Sequence, residues 1–486
     1  MLIGFRKISL RSCLALRVIA VNGIVNQSTA VGNLDHKPNG NNESVEVKPF
    51  SEIPGPKGLP LIGSLLTVLK NDGYYIKKTH LYMIMNAKKY GRIHKDKMGN
   101  FDEGEEWRRF RSILDKKLLK VKDVSAYSGR MNDVITDLIN YLTKKQLEDD
   151  LNGEISNLRD CLYKWSFETI GTILYNKRLG TLQDPPNPIA EKFYHSVCLM
   201  FEQSNDLAPI PPYYKYFKTK YWKDYCQLWD TMFEIAEQLI NEEHQRLQQI
   251  MQDIADKSVD LRRSEELEFL PYVLLRGELN SDEIVGNIID LMIAAVDTSA
   301  NTMLWTLYIL GKNPEIQEKL YQEVSNVLKK GEYPDSGAIQ KMSYLRALIK
   351  ETQRMYPILP GVPRFIDTDI VLAGYRIPAN TRIMAGFCVM SCDESIFDEP
   401  TKFKPERWIR SPSKRRLDPY IYTAFSFGPR MCIGRRVAEL QMQLLIARLI
   451  SQFRVECRNT GEVGQIIRTV ASPETDIRIA LEPRIN

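Results

Sequence analysis

Phe425-Ser426-Phe427-Gly428-Pro429-Arg430-Met431-Cys432-Ile433-Gly434 sets one cysteine in a glycine-bracketed loop, just ahead of a helix-forming run over 435–448. That is how a chain offers a thiolate to a metal. A free thiol titrates near ~8.5, so Cys432 needs backbone N–H groups, a cation or the metal itself to stand as thiolate. The stretch supplies each of these options. Gly428 and Gly434 let backbone approach a flat ligand, Arg430 stands two residues before the sulfur, and the following helix points its N-terminal N–H groups back at the loop. The plainer alternative is a buried free cysteine, the usual fate of an isolated one.

Outward from this loop, 486 residues with 43% hydrophobic side chains are enough to bury a large core, in one large domain or in two or three. The eight cysteines, at 13, 161, 198, 226, 388, 392, 432 and 457, show no C-x-x-C pair and no dense spacing. They imply a reducing compartment and no disulfide framework. Cys388 and Cys392 lie close, but no histidine lies within a hundred residues of them, which argues against a structural zinc site.

The formal net charge of +5 is unevenly placed. Residues 1–34 carry Arg6, Lys7, Arg11 and Arg17 and no acid; without those four, 62 basic side chains face 61 acidic ones. The bulk is neutral, so nucleic-acid binding is not implied. An arginine-rich, acid-free start with Ser9, Ser12 and Ser28, amphipathic through Ile8, Leu10, Leu14 and Leu16, fits a mitochondrial presequence, the alternative being a basic tail. Arg11 and Arg17 interrupt any secretory apolar region, and no run of about eighteen apolar residues predicts a transmembrane helix.

The expected organisation is a presequence and linker over 1–40 and one domain over 41–486, entered through the stiff Ile53-Pro54-Gly55-Pro56. Apolar spacing of three and four predicts helices from 108 to 332, whereas 362–388 alternates and breaks at Gly374 and Pro378, as short hairpins do. The fold class is therefore mainly α with a small β portion. Over 209–222, tyrosine, phenylalanine and tryptophan interleave with Lys215, Lys218 and Lys220; contact with a membrane surface and ordinary core packing with a lysine face fit equally well.

Several constellations ask for a chemical reason. The apolar run 284–310 is interrupted by Ala294-Ala295-Val296-Asp297-Thr298-Ser299, an acid and hydroxyls in a greasy helix. Alternatively, Thr298 bonds back to a carbonyl and Asp297 sits in a salt bridge. Glu351 and Arg354, three apart, share a helix face, as do Trp107 and Arg111, four apart.

The pattern F-x-x-G-x-R-x-C-x-G resembles the haem-ligand signature of the cytochrome P-450 family, with every fixed position filled. Further matches follow in the family's order, from Trp107 in W-x-x-x-R through Asp297-Thr298, Lys350-Glu351-Thr352-Gln353-Arg354 and Val362-Pro363-Arg364 to Phe403-Lys404-Pro405-Glu406-Arg407-Trp408. The resemblance implies the P-450 fold and haem b, with Cys432 as the iron ligand and Phe425 and Gly434 beside it. It implies Trp107, Arg111, Arg364 and Arg430 on the propionates, for which arginine's fork is suited. It implies Asp297 and Thr298 as the groups that deliver protons to dioxygen, although Ala295 stands where glycine is usual. Arg407 would close a structural network with Glu351 and Arg354.

The chain has no G-x-G-x-x-G and no cysteine cluster, so electrons must come from a partner. In mitochondrial members, positions matching Arg346 and Lys350 dock an acidic ferredoxin, and Arg435 and Arg436 fall on the same side; a solvated basic face is the alternative. The presequence and Glu168-Thr169-Ile170-Gly171 with Arg178-Leu179-Gly180 resemble that mitochondrial branch, peripheral on the matrix side of the inner membrane. The implied partners are a ferredoxin of adrenodoxin type with its reductase, and a small lipophilic substrate. Hydroxylation of a steroid or sterol-like lipid is expected, as in arthropod ecdysteroid-synthesising hydroxylases, with xenobiotic oxidation as the nearest rival. A haem-thiolate isomerase or dehydratase would need no donor, and Asp297-Thr298 with the basic face argues against it. One departure bears on competence: between Ile93 and Trp107 the chain has thirteen residues, 94–106, where the family has several dozen more. Part of the small sheet, a helix and a pocket loop are therefore expected to be missing, and a catalytically incompetent variant stays open.

Overall fold

The computed structural model describes residues 47–54, 106–148, 153–207, 219–254, 267–329, 331–410 and 418–484. The presequence, the entry beyond Pro54, residues 94–105 and the aromatic stretch up to 218 lie outside the described residues.

In chain order the helices are α1 (Glu106–Leu118), α2 (Val121–Ala126), α3 (Ser128–Glu148), α4 (Leu158–Leu174), α5 (Pro188–Leu207), α6 (Lys220–Ile254) and α7 (Phe269–Arg276). Then come α8 (Ser281–Lys312), α9 (Pro314–Val327), α10 (Ser336–Lys341), α11 (Ser343–Met355), α12 (Phe387–Ser391) and α13 (Arg435–Gln452). The strands are β1 (Val362–Phe365), β2 (Ile370–Leu372), β3 (Tyr375–Ile377), β4 (Arg382–Ala385), β5 (Phe453–Cys457), β6 (Gln465–Ile467), β7 (Ala471–Pro473) and β8 (Ile479–Pro483). The protein is mostly helical with small sheets, as the periodicity implies.

A helix that is apolar on nearly every side must be surrounded, and the C-terminal half of α8 is such a stretch, buried continuously from Ser299 to Leu310. The start of α8 is fixed by a capping box: Asn280 Oδ1 accepts from the Glu283 N–H and Glu283 Oε2 accepts from the Asn280 N–H, both at 2.9 Å. Such a cap contributes about 1 kcal/mol. Against α8 lies α4, buried along nearly its whole length, and α13 packs on α3, α9 and α11 as well as on α8. Gln441 of α13 donates to Ser299 of α8 at 2.8 Å, tying these helices together beside the cavity described below.

The Glu168 motif has a structural cause. Its carboxylate is fully buried and accepts from the N–H groups of Leu179 at 2.8 Å, Gly180 at 2.9 Å and Thr181 at 3.0 Å, and from Arg178 Nε at 3.0 Å. One side chain thereby satisfies the donors of the turn after α4, where Gly180 sits at φ +95°.

The strands form four antiparallel pairs, β1–β4, β2–β3, β5–β8 and β6–β7. Over 362–388 the expected hairpins are present, and Ala373 and Gly374, at φ +48° and +81°, make the tight turn between β2 and β3. The alternation stops short of the expected end, because Phe387–Ser391 is helical and buries Phe387 and Cys388. The β1–β4 pair sets Arg364 opposite Ile383 and presents it to the cavity between α8 and the cysteine loop.

Candidate active site

The loop before α13 is held by its own backbone. Cys432 N–H donates to Phe425 O at 2.9 Å, and Gly428, at φ +73°, opens the single turn Gly428–Arg430. This is where glycine is needed. A Cβ at Gly434 would meet Cys432 Sγ at 3.9 Å, an ordinary contact, so steric exclusion does not explain glycine there. Burial pushes the Cys432 thiol above its usual range; the Gly434 N–H and the charges of Arg111 and Arg435 work the other way.

Cys432 opens onto a cavity of about 540 Å³. The structure brings Phe425, Gly434, Arg111, Arg364 and Arg430 to this cavity, and α8 forms a facing wall with Leu291, Ala294, Asp297 and Thr298. Arg111 is also paired with Asp115 at 2.5 Å. Trp107 lies on α1, with its side chain outside the described residues. A sulfur, apolar side chains and guanidinium groups lining one cavity would suit a flat macrocycle that carries a metal and carboxylates.

Helix α8 runs unbroken through 294–299. Thr298 Oγ1 donates back to Ala294 O at 2.8 Å, and Ala295 O accepts from Ser166 of α4 at 3.1 Å, so both carbonyls are already satisfied. Asp297 is 5% exposed and is held in a small network. It accepts from the Tyr163 hydroxyl and, at 2.8 Å, from Asn301 Nδ2, which also reaches Tyr163 Oη at 2.8 Å. Arg159 Nη2 donates to Tyr163 Oη at 3.2 Å and lies 5.1 Å from the ring centre. Burial raises the Asp297 carboxyl above the usual range, while the Tyr163 hydrogen bond and the charges of Arg159 and Arg468 hold it back. Asn301, four residues after Asp297 on one helix, could have been found by spacing. Tyr163, 134 residues away, carries no local signal.

Behind the loop, Glu351 is fully buried and bridges both arginines: Arg354 Nη2 donates to Oε1 at 2.8 Å and Arg407 Nε to the same oxygen at 2.9 Å. Trp408 Nε1, at 2.8 Å, and the Lys404 N–H, at 2.9 Å, also donate to Glu351; local spacing does not reveal them.

The cations assigned to partner docking are partly engaged. Arg346 Nη1 donates to Ile339 O at 2.8 Å and Gln340 O at 2.7 Å, closing the end of α10. Lys350 lies 5.1 Å from the Tyr422 ring and 5.9 Å from the Trp408 ring, and burial lowers its pKa, with Arg435 and Arg346 adding repulsion against the opposing pull of Glu439. Arg435 and Arg436 both pair with Glu439, at 3.0 and 3.5 Å. Of these four, Arg436 is the one that stands exposed.

Comparison with known proteins bears directly on this arrangement. The family model for cytochrome P450 matches residues 94–481. Cytochrome P450 10 of Lymnaea stagnalis is 32% identical over 490 residues, covering 90% of this chain and 87% of the relative. Mitochondrial sterol 26-hydroxylase of Mus musculus is 34% identical over 419 residues, covering 85% and 77%. Mitochondrial 1,25-dihydroxyvitamin D(3) 24-hydroxylase of Rattus norvegicus is 30% identical over 485 residues, covering 90% of each. A crystal structure of a cytochrome P450 (CYP102L1) aligns with TM-score 0.67 at 22% identity, over 79% of this chain and 83% of that one, a likeness of fold.

Proposed function

The chain belongs to the cytochrome P450 family of haem-thiolate monooxygenases, and on that premise we propose that it hydroxylates a steroid or sterol-like lipid in the mitochondrion, with electrons from a ferredoxin. The observation that carries this reading is Cys432 opening onto one cavity together with Arg111, Arg364 and Arg430, with Asp297 and Thr298 on the facing helix. When bound, haem supplies oxygen activation and one-electron chemistry on the cysteine thiolate. Cys432 is its ligand, and the guanidinium groups of Arg111, Arg364 and Arg430 hold its carboxylates.

Leu291, Phe201, Val362, Phe387, Ile467 and Val470 line the cavity. They exclude water and favour a rigid apolar molecule held by its surface rather than by charge. Burial raises the Asp297 carboxyl above the usual range, which suits it to carry a proton, and Thr298 Oγ1 stands one residue further along as the next carrier. Electrons enter from the opposite side, where an acidic ferredoxin, reduced by its reductase, meets the exposed Arg436 beside Arg346, Lys350 and Arg435, which are partly engaged within the chain. Residues 41–486 act as one domain behind a mitochondrial presequence and linker over 1–40, peripheral on the matrix side of the inner membrane.

The thirteen residues between Ile93 and Trp107 favour a second reading, an incompetent variant. Reconstitution with ferredoxin, its reductase and a panel of sterols separates the two. Product with a single new hydroxyl supports the proposal. Reductase-dependent peroxide without product from any sterol supports the second reading, and preferential oxidation of aromatic drugs supports xenobiotic chemistry.

A further inference from the structure

Ser426 stands in the left-handed region, at φ +59°, immediately after the carbonyl that accepts the Cys432 N–H. An L side chain there crowds the following carbonyl oxygen, so the conformation persists only where the surroundings enforce it. Two bonds involve this residue. Its N–H donates to Thr423 O at 2.8 Å and closes the turn, and its Oγ accepts from Arg364 Nη2 at 3.1 Å. Arg364 Nη1 donates to Pro363 O at 2.7 Å, so the guanidinium is gripped from its own strand and from the cysteine loop. A glycine would adopt the same backbone without strain but could not reach Arg364.

We propose that Ser426 is the positioning residue of Arg364, its left-handed turn presenting a hydroxyl that aims the guanidinium at a carboxylate of the cofactor. The turn that sets the sulfur thereby sets the carboxylate arm as well. A shift of the cysteine loop would then move the sulfur and the Arg364 guanidinium together. The inference rests on the haem reading above.

The test uses the haem-loaded protein and follows haem release to excess apomyoglobin, beside the carbon monoxide spectrum of each reduced variant. Ser426→Ala keeps the strain and loses the hydroxyl; Ser426→Gly loses both. If the hydroxyl matters, both variants release haem faster than wild type, by roughly tenfold to a hundredfold for one hydrogen bond to a charged group, while keeping the thiolate band. Ser426→Asn, which tolerates the left-handed region and carries a side-chain oxygen, restores slow release. If turn shape alone matters, Ser426→Gly holds haem at least as long as wild type and only Ser426→Ala loosens it, which overturns the proposal. A wild type without a thiolate band refutes the haem reading instead.

Discussion

At the scale of the residue, the acid of α8 is defined by what surrounds it rather than by its motif. Asp297 is buried beside Tyr163 and Asn301, and its carboxyl is raised by burial and restrained by the Tyr163 hydroxyl. Asp297→Asn removes the proposed proton carrier, and turnover should fall by about a hundredfold with little change in KM. Tyr163→Phe removes a donor that favours the charged form, so Asp297 keeps its proton to higher pH. The alkaline limb of the pH–rate profile should move upward, whereas a limb that stays in place would show that Tyr163 merely fills space. The acid itself was legible, because a charge in an apolar helix demands a reason. Its clamp was not, because Arg159 and Tyr163 come from another helix and meet α8 only through tertiary packing.

At the scale of the element, α8 and α11 carry charges that their sequences only half explain. Asp290 of α8 is raised to about 7 by burial, and among the described residues its Oδ1 has no hydrogen-bond partner. Its unfolded counterpart titrates near ~3.9, so the folded state holds the proton more tightly. The resulting stability is full below about pH 4 and is lost as pH rises through about 7. Asp290→Asn should therefore be more stable than wild type at alkaline pH by on the order of 1–3 kcal/mol, the gain fading on acidification; thermal melts across pH measure it. On α11, Glu351→Gln strands the buried Arg354 and Arg407 charges and should cost about 3–5 kcal/mol, seen as a lower melting temperature or failure to accumulate. The Glu351–Arg354 pairing could be read from a spacing of three on one helix. The Trp408 indole that completes the cage could not, since it comes from a distant turn.

At the scale of the whole molecule, the helical body and small sheets follow from hydrophobic period, and the family from ordered motifs; burial of the basic side does not. The cations expected to face a partner are partly consumed at home by Ile339 O, Tyr422 and Glu439, a consequence of packing that no local spacing encodes. Arg436 is the exposed one of the four, so Arg436→Glu should slow ferredoxin-driven turnover about tenfold at low salt. The loss should fade as salt screens the encounter, and peroxide-driven turnover should not change. The proposed turnover requires that Cys432 hold haem as thiolate. The most direct test is the carbon monoxide spectrum of reduced residues 41–486 beside Cys432→Ala: the account predicts a thiolate-shifted Soret band that vanishes in the variant. Haem binding without that band in the wild type, or a band that survives Cys432→Ala, would contradict it.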